Sequence, residues 1–305
     1  MSKIVEFLKH PIDKIKGKQN SIFIKKNKDL DDKTFIEKNF KRIFHYELDL
    51  SNPKTFNEKL QWLKLYNRVP LYTKIVDKIA VRDYVSKLIG EDYLIPFYGV
   101  WEKPEDIDFN TLPNQFVLKC NHNSGLGMYI CRDKSKMSKE QVVNNLKKGL
   151  AENFYLNGRE WPYKDVPRKI LCEKYLDDCS GIELMDYKLF CFDGVFKLLL
   201  ICSDRHTKLS NDWYDNSLHH LPCINGPKNR KKDIVISDKI NEMISLAEKL
   251  TKGMPQCRVD FYDVNGKIYF GEMTLFESGG FAPFKPNKYD ELFGGYINLP
   301  KEKIC

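Results

Sequence analysis

An α+β fold is predicted by three features of the sequence. Amphipathic helices run through roughly the first 100 residues, strand texture begins at Gln115, and two hairpin signals join later strands in antiparallel pairs. The sharper signal lies in QCRVDFYDVNGKIYFGEMTLFESGG, Gln256 to Gly280. There Val259, Phe261, Val264, Ile268, Tyr269 and Phe270 are strand formers, and Asn265-Gly266 marks the turn.

The elements follow in order. Ile4, Val5, Leu8, Ile12 and Ile15 make a helical stripe opposite Lys3, Lys9, Lys14 and Lys16, with Pro11 expected to kink or split it. Thr55-Phe56-Asn57-Glu58 fits a capping box, and Phe56, Leu60 and Leu63 continue at helical spacing. A single helix is expected over Tyr72 to Ile89, stopped by Gly90. Phe116 to Cys120 and Met128 to Cys131 read as strands around NHNSGLG, residues 121–127, and 138–156 reads as a helix. Strands follow at Lys169–Leu176, Met185–Phe192 and Val195–Ser203, the last two joined at Asp193-Gly194. Between Asp204 and Asp233 a polar, basic segment reads equally as a substrate loop or a surface excursion, and His219 and His220 are not read as metal ligands. Ile236 to Lys252 is the last patterned helix before the Gln256–Gly280 hairpin. The expected divisions are 1–50, a basic helical segment; 51–114, a helical region; and 115–300, a strand-rich domain.

Charges inside strands carry the functional signal. Whether Asp260 and Glu272 share a face depends on the turn, because side chains alternate with period 2. A two-residue turn would put them on opposite faces. A three-residue loop with Gly266 as a bulge would bring Arg258, Asp260, Glu272 and Thr274 together, and that is the arrangement expected. Two carboxylates and a cation on one face suit either a structural salt bridge or Mg²⁺, and on these residues alone the salt bridge is preferred. Lys119 beside the glycine-rich loop, Glu173, Asp186 and Lys188 shift the balance, since a polyphosphate would give all these charges one partner. Ser124, Gly125 and Gly127 let the backbone approach a ligand, although no Walker Gly-Lys-Ser/Thr is present. His122 reads as a hydrogen-bonding loop residue.

Bulk properties narrow the class. The 305 residues, 42% hydrophobic, allow a sizeable core. No apolar run approaches the roughly 20 residues of a membrane helix, and no signal-peptide core follows Met1-Ser2-Lys3, so a soluble, cytoplasmic chain is expected. Cysteines 120, 131, 172, 191, 202 and 257 sit in apolar strand-like runs without a Cys-x-x-Cys pair, which predicts reduced, buried thiols. Eight lysines against Glu6, Asp13 and Asp29 place five of the eight excess positive charges within residues 1–30. That segment fits peripheral contact with the inner face of a membrane, or packing on its own domain with the lysines in water, and the second is preferred. No nucleic-acid partner is expected.

The order of parts resembles the ATP-grasp superfamily, and most closely its TupA-like branch, associated with bacterial surface-polysaccharide and teichuronopeptide biosynthesis. The resemblance runs from about Ser51 to Pro300 through SNPKTFNEKLQWLKLY, DKIAVRDYV, GEDYLIPFYGVW, LPNQFVLKCNHNSG, DYKLFCFDG, RVDFY, GEMTLFESGG and the closing LP. It implies two α+β subdomains clasping ATP, with Lys119 and Lys188 on the phosphates and NHNSGLG closing over them. It implies Glu173, Lys174 and Leu176 at the adenine, Asp260 and Glu272 on Mg²⁺, and Arg258 at the transferring phosphate. The position where the superfamily often has a third metal ligand is Thr274 here, which leaves a second metal ion open; Asp177, Asp178 and Glu183 remain alternatives for the ribose. The implied activity is ATP-dependent ligation of a small-molecule or saccharide carboxylate to an amine such as an amino acid. Ser278, Gly279 and Gly280 would bind the acceptor, and Arg205 would hold an anionic sugar. The alternatives are a kinase or sugar-transfer enzyme, and a non-catalytic membrane-associated assembly protein.

Overall fold

The computed structural model describes residues 11–179, 184–204, 209–230 and 233–305. Helices come first: α1 (Pro11–Lys26), α2 (Asp32–Phe44), α3 (Phe56–Tyr66), α4 (Leu71–Val76) and α5 (Val81–Ile89). The described residues begin at Pro11 itself, so the expected kink or split there lies at their edge. Ile4, Val5 and Leu8 lie outside the described residues. Thr55 and Glu58 form the expected capping box, the Thr55 hydroxyl accepting from the Glu58 N–H while Glu58 accepts from the Thr55 N–H.

One expected helix is two. Between α4 and α5 the chain breaks at Asp77, whose Oδ1 accepts from the Ile79 N–H and from Asn121 Nδ2, each at 2.8 Å. An aspartate that bonds the backbone two residues ahead competes with the helical ladder, and the apolar pattern on either side carries no trace of it.

The strands form two antiparallel sheets. β1 (Phe97–Trp101), β2 (Phe116–Cys120), β3 (Tyr129–Cys131) and β4 (Ile170–Lys174) lie in the order β1-β4-β2-β3. On one side Phe116, Leu118, Cys131, Ile170 and Cys172 pack under Val142 and Leu146 of α6 (Lys139–Ala151), which is followed by the short α7 (Tyr155–Gly158). Alternation turns Val117, Lys119, Leu171 and Glu173 to the other side.

The second sheet comprises β5 (Asp186–Phe192), β6 (Val195–Ser203), β7 (Ser210–Asp215), β8 (His220–Leu221), β9 (Cys257–Val264) and β10 (Lys267–Thr274), in the order β10-β9-β5-β6-β7-β8. Leu189, Leu199, Val259 and Phe261 share its core with Met243, Leu246 and Leu250 of α8 (Ile240–Thr251). The opposite face changes character along its length. Phe190 and Trp213 meet Phe56, Phe284 and, from α9 (Lys288–Gly294), Phe293, whereas Asp186, Lys188, Arg258 and Asp260 occupy the other end.

The 204–233 segment is not a loop throughout, because β7 and β8 extend the sheet and Trp213 is buried. Some of its polar groups are bonded inside: the Ser203 and Ser210 hydroxyls bond at 2.9 Å, and Asp212 accepts from the Arg230 N–H at 3.0 Å. That hides a strand behind a polar composition. The cysteines at 120, 131, 172, 191, 202 and 257 are all buried and free.

Candidate active site

The turn between β9 and β10 has two residues, with Val264 opposite Lys267 and Asn265 and Gly266 at φ 54° and 82°. This corrects the expected three-residue loop with its bulge at Gly266. Asn-Gly takes two left-handed conformations in succession at low cost, so the tight turn wins. On that register alone Asp260 and Glu272 would part. A bulge between Phe270 and Glu272 restores the match, so that Glu272 lies opposite Asp260 and Thr274 opposite Arg258. The extra residue is Gly271, where a Cβ would stand 3.2 Å from both the Asp260 carbonyl oxygen and the Tyr262 ring.

The convergence builds an ion cluster. Arg258 is 7% and Asp260 2% exposed, which demands that each charge be paired. Arg258 Nε donates to Asp260 Oδ1 at 2.6 Å and Nη2 to Asp260 Oδ2 at 2.9 Å, a bidentate fork. Nη2 also reaches Glu272 Oε1 at 2.8 Å, and Nη1 binds Glu277. Lys188 Nζ binds Asp260 and lies 3.3 Å from Asp186 Oδ2. Burial and Arg258 push the Lys188 ammonium down, yet Asp260, Cys202 and Glu272 hold it above its ordinary range.

Glu272 connects the two sheets. Burial raises its pKa, but Lys78, Arg258, Lys188 and Lys119 bring it to about 2, so it is ionised throughout the physiological range. Lys119 belongs to the first sheet, where its Nζ lies 2.5 Å from Glu173 Oε2, and Arg82 approaches the same carboxylate at 3.8 Å from above the Phe97 ring. Lys78, in the break between α4 and α5, donates to the Asn123 carbonyl at 2.6 Å. Burial lowers its pKa against the pull of Glu272.

A cleft of ≈ 940 Å³ adjoins the cluster, lined by Arg258, Glu272, Thr274, Glu277, Ser278 and Gly279 among others. Lys78 and Ser124 border it, and so do Gln19, Asn20, Asn39 and Arg42 of α1 and α2. The Ser278-Gly279-Gly280 loop is held from behind. Gln61 Nε2 donates to the Gly280 carbonyl at 2.5 Å, and Lys64 Nζ donates to the carbonyls of Gly279 at 2.8 Å and Gly158 at 2.6 Å. Burial moves Lys64 down and Glu160, which borders the cleft, up.

Other expected residues are placed as follows. Gly125, at φ 86°, has open space where a side chain would be, whereas Gly127 is pressed against Gly149 of α6 and Cys120, so it serves packing. The Lys174 N–H is already bonded to the Pro96 carbonyl at 3.0 Å, and Leu176 is half-buried. His122 is a loop hydrogen-bonding residue, its Nε2 3.1 Å from the Glu152 carbonyl oxygen. His219 and His220 face Asp215 and Asp212, respectively. Asp177 Oδ1 accepts from the Cys179 N–H. Arg205 and Glu183 lie outside the described residues. Lys64, Lys78, Arg82, Glu160 and Glu277 were not picked out in the sequence. Lys64 left a trace, as a lysine among Leu60, Trp62, Leu63 and Leu65 on a helix buried nearly all round.

Among the described residues no three His, Cys, Asp or Glu side chains converge as a closed metal cage. Mg²⁺ asks for less: one or two carboxylates, with phosphates and water completing the octahedron. Glu272 fits that need, because Oε2 has no hydrogen-bond partner among the described residues while the Thr274 hydroxyl lies 3.4 Å from Oε1. Asp260, opposite it, is the other hard carboxylate at hand, with both of its oxygens bonded by Arg258 and Lys188.

Two antiparallel sheets whose strand lysines, Lys119 and Lys188, both act on Glu272 at the cleft wall make an ATP-grasp fold. Residues 58–298 match the family described as TupA-like ATPgrasp, and the chain belongs to it. No curated protein matches the chain in sequence. Similar solved structures include the D-alanine-D-alanine ligase of Helicobacter pylori, at 13% identity and TM-score 0.47, over 80% of this chain and 69% of that one. The Bacillus anthracis D-alanine-D-alanine ligase, solved with ATP, is 18% identical at TM-score 0.38, over 66% and 54% of the two chains. N5-carboxyaminoimidazole ribonucleotide synthetase from Thermus thermophilus is 14% identical at TM-score 0.39, over 66% and 45%.

Proposed function

We propose that the protein is an ATP- and Mg²⁺-dependent carboxylate–amine ligase. One observation carries the reading: Lys119, paired with Glu173 on one sheet, and Lys188, paired with Asp260 on the other, both act on Glu272, which lines an open cleft. A polyphosphate is the ligand that all of them can share.

Asp260 and Glu272 would hold Mg²⁺, with the Thr274 hydroxyl beside them. When bound, the metal screens phosphate charge and aligns the oxygens for in-line transfer. Lys119 and Lys188 exchange their carboxylate partners for phosphate oxygens, and Arg258 neutralises charge on the phosphoryl group as an acceptor carboxylate attacks it. That attack expels ADP and leaves an acyl-phosphate; an amine then attacks its acyl carbon, the C–O bond to phosphate breaks, and inorganic phosphate and a proton leave as the amide forms. The Ser124–Gly125 loop excludes water, which would otherwise hydrolyse the acyl-phosphate. Ser278 and Gly279, at the cleft wall, orient the acceptor. By family likeness that acceptor is a uronic acid or amino acid of a surface polysaccharide, and the amine an amino acid.

The test is calorimetry with Mg·ATP, followed by ADP release over a panel of amino acids and uronic acids. Binding that is lost in the Asp260→Asn/Glu272→Gln double variant, with ADP release that depends on an amine, is expected. Unchanged nucleotide binding in that variant would sink the site, and ADP release indifferent to amines would make the protein a kinase.

A further inference from the structure

The cations around the cleft are of two kinds. Arg258, Lys188 and Lys119 each hold a carboxylate. Arg42 of α2, like Lys78, lines the cleft itself and among the described residues holds no carboxylate. Its Nε and Nη2 donate to Asn39 Oδ1 at 3.1 and 2.6 Å, and Nη2 also donates to Asn20 Oδ1 at 2.7 Å. Both acceptors are neutral amides, and Nη1 has no hydrogen-bond partner among the described residues. The Phe23 ring lies 4.6 Å from the guanidinium carbon, and Asn39 is 2% exposed, so the group is held from two sides.

A half-buried guanidinium ordinarily finds a carboxylate, because leaving its charge uncompensated costs free energy. Here burial pushes its pKa down, and among the described residues no neighbouring acid acts against it. A cation fixed by neutral oxygens, with two N–H donors left over at a cleft, is pre-organised for an oxyanion that arrives from outside. The helices that supply it also give the basic N-terminal segment a part in the site.

We propose that Arg42, positioned by Asn20 and Asn39, binds a carboxylate or phosphate of the acceptor, so that the enzyme selects acceptors bearing a second anionic group besides the reacting carboxylate. This rests on reading the cleft as the acceptor site. Calorimetry in Mg²⁺ and a non-hydrolysable ATP analogue would compare L-glutamate with L-glutamine, and glucuronate 1-phosphate with glucuronate. At least one doubly anionic ligand is expected to bind tenfold or more tightly than its partner, the first pair reporting a carboxylate and the second a phosphate. Arg42→Gln should erase the preference and leave nucleotide affinity intact, and Arg42→Lys should retain part of it. No preference in the wild-type protein, or one that survives Arg42→Gln, overturns the proposal. Should Arg42→Gln fail to fold, Asn20→Leu withdraws one oxygen of the cradle, and an unchanged preference there is equally fatal. Selective binding without amine-dependent ADP release would sink the ligase reading and leave this one standing, and turnover without selectivity would do the reverse.

Discussion

Arg258 is the residue whose removal the site tolerates least, since it pairs with Asp260, Glu272 and Glu277 from a buried position. Arg258→Gln leaves those carboxylates facing one another, and breaking a buried pair costs about 3–5 kcal/mol. Chemical denaturation should show that loss, with a smaller one for Arg258→Lys; equal stability of all three proteins would refute the burial argument. Asp290 offers a pH test at the same scale. It is 1% exposed, and burial raises its carboxyl from the ordinary 3.8 to about 6 even though its Oδ1 accepts from the backbone and side-chain amides of Asn57. A raised pKa means that the folded state holds the proton that the unfolded chain has released. Stability therefore falls as pH rises from about 4 through 6, by up to about 3 kcal/mol. Asp290→Asn keeps the Oδ1 acceptor and abolishes the titration. Melts at pH 4 and pH 7 should show the wild type losing ground to the variant, and parallel curves would exclude the shift. Which single residues bear charge in strands was legible beforehand: Lys119, Lys188, Arg258, Asp260 and Glu272 each interrupt an apolar pattern. Glu277 was not, because it lies beyond a strand end, where an acid is unremarkable until Arg258 is seen to reach it.

Elements were legible where one local rule decided them and illegible where two competed. The Thr55 capping box and the Asp193-Gly194 hairpin needed only their own residues, and both stand as read. The β9–β10 hairpin involved two rules, turn chemistry and the facing of Asp260 and Glu272, and the shared face was reached through Gly271 instead of Gly266. No sequence pattern separates a bulge at one glycine from a bulge at another five residues on. The helix break at Asp77 was hidden in the same way, since its cause is a hydrogen bond to Asn121, 44 residues away. Gly271 yields the prediction that belongs to this scale. Gly271→Val places a branched side chain where a Cβ already meets the Asp260 backbone and Tyr262 at 3.2 Å, so the bulge must open. Overpacking of this kind costs about 1–3 kcal/mol. Because the bulge sets Glu272 opposite Asp260, Mg·ATP affinity should fall together with the denaturation midpoint. A variant that loses stability but binds nucleotide as before would separate the bulge from the site.

Over the whole molecule the charge is lopsided, with five of the eight excess positive charges in residues 1–30. A segment that inserts into a membrane surface needs a basic face and a free apolar one. The C-terminal end of α1 is engaged on its own domain: Phe23 packs on Phe35 with ring centroids 5.5 Å apart, and Phe23 and Ile24 join Phe35, Ile36 and Leu65 in one cluster, while Ile22 is 45% exposed. The lysines offer charge to a lipid surface, worth about 1 kcal/mol per lysine near an anionic bilayer and screened over about 8 Å in physiological salt. Flotation with anionic vesicles distinguishes charge from insertion. The full chain should float at low ionic strength and be released at about 0.15 M salt, while a chain lacking residues 1–30 should float at neither. Flotation that persists in high salt and still requires residues 1–30 would mean that an apolar face is free to insert, and the packing of α1 against α2 would then not be the arrangement the protein keeps at a membrane.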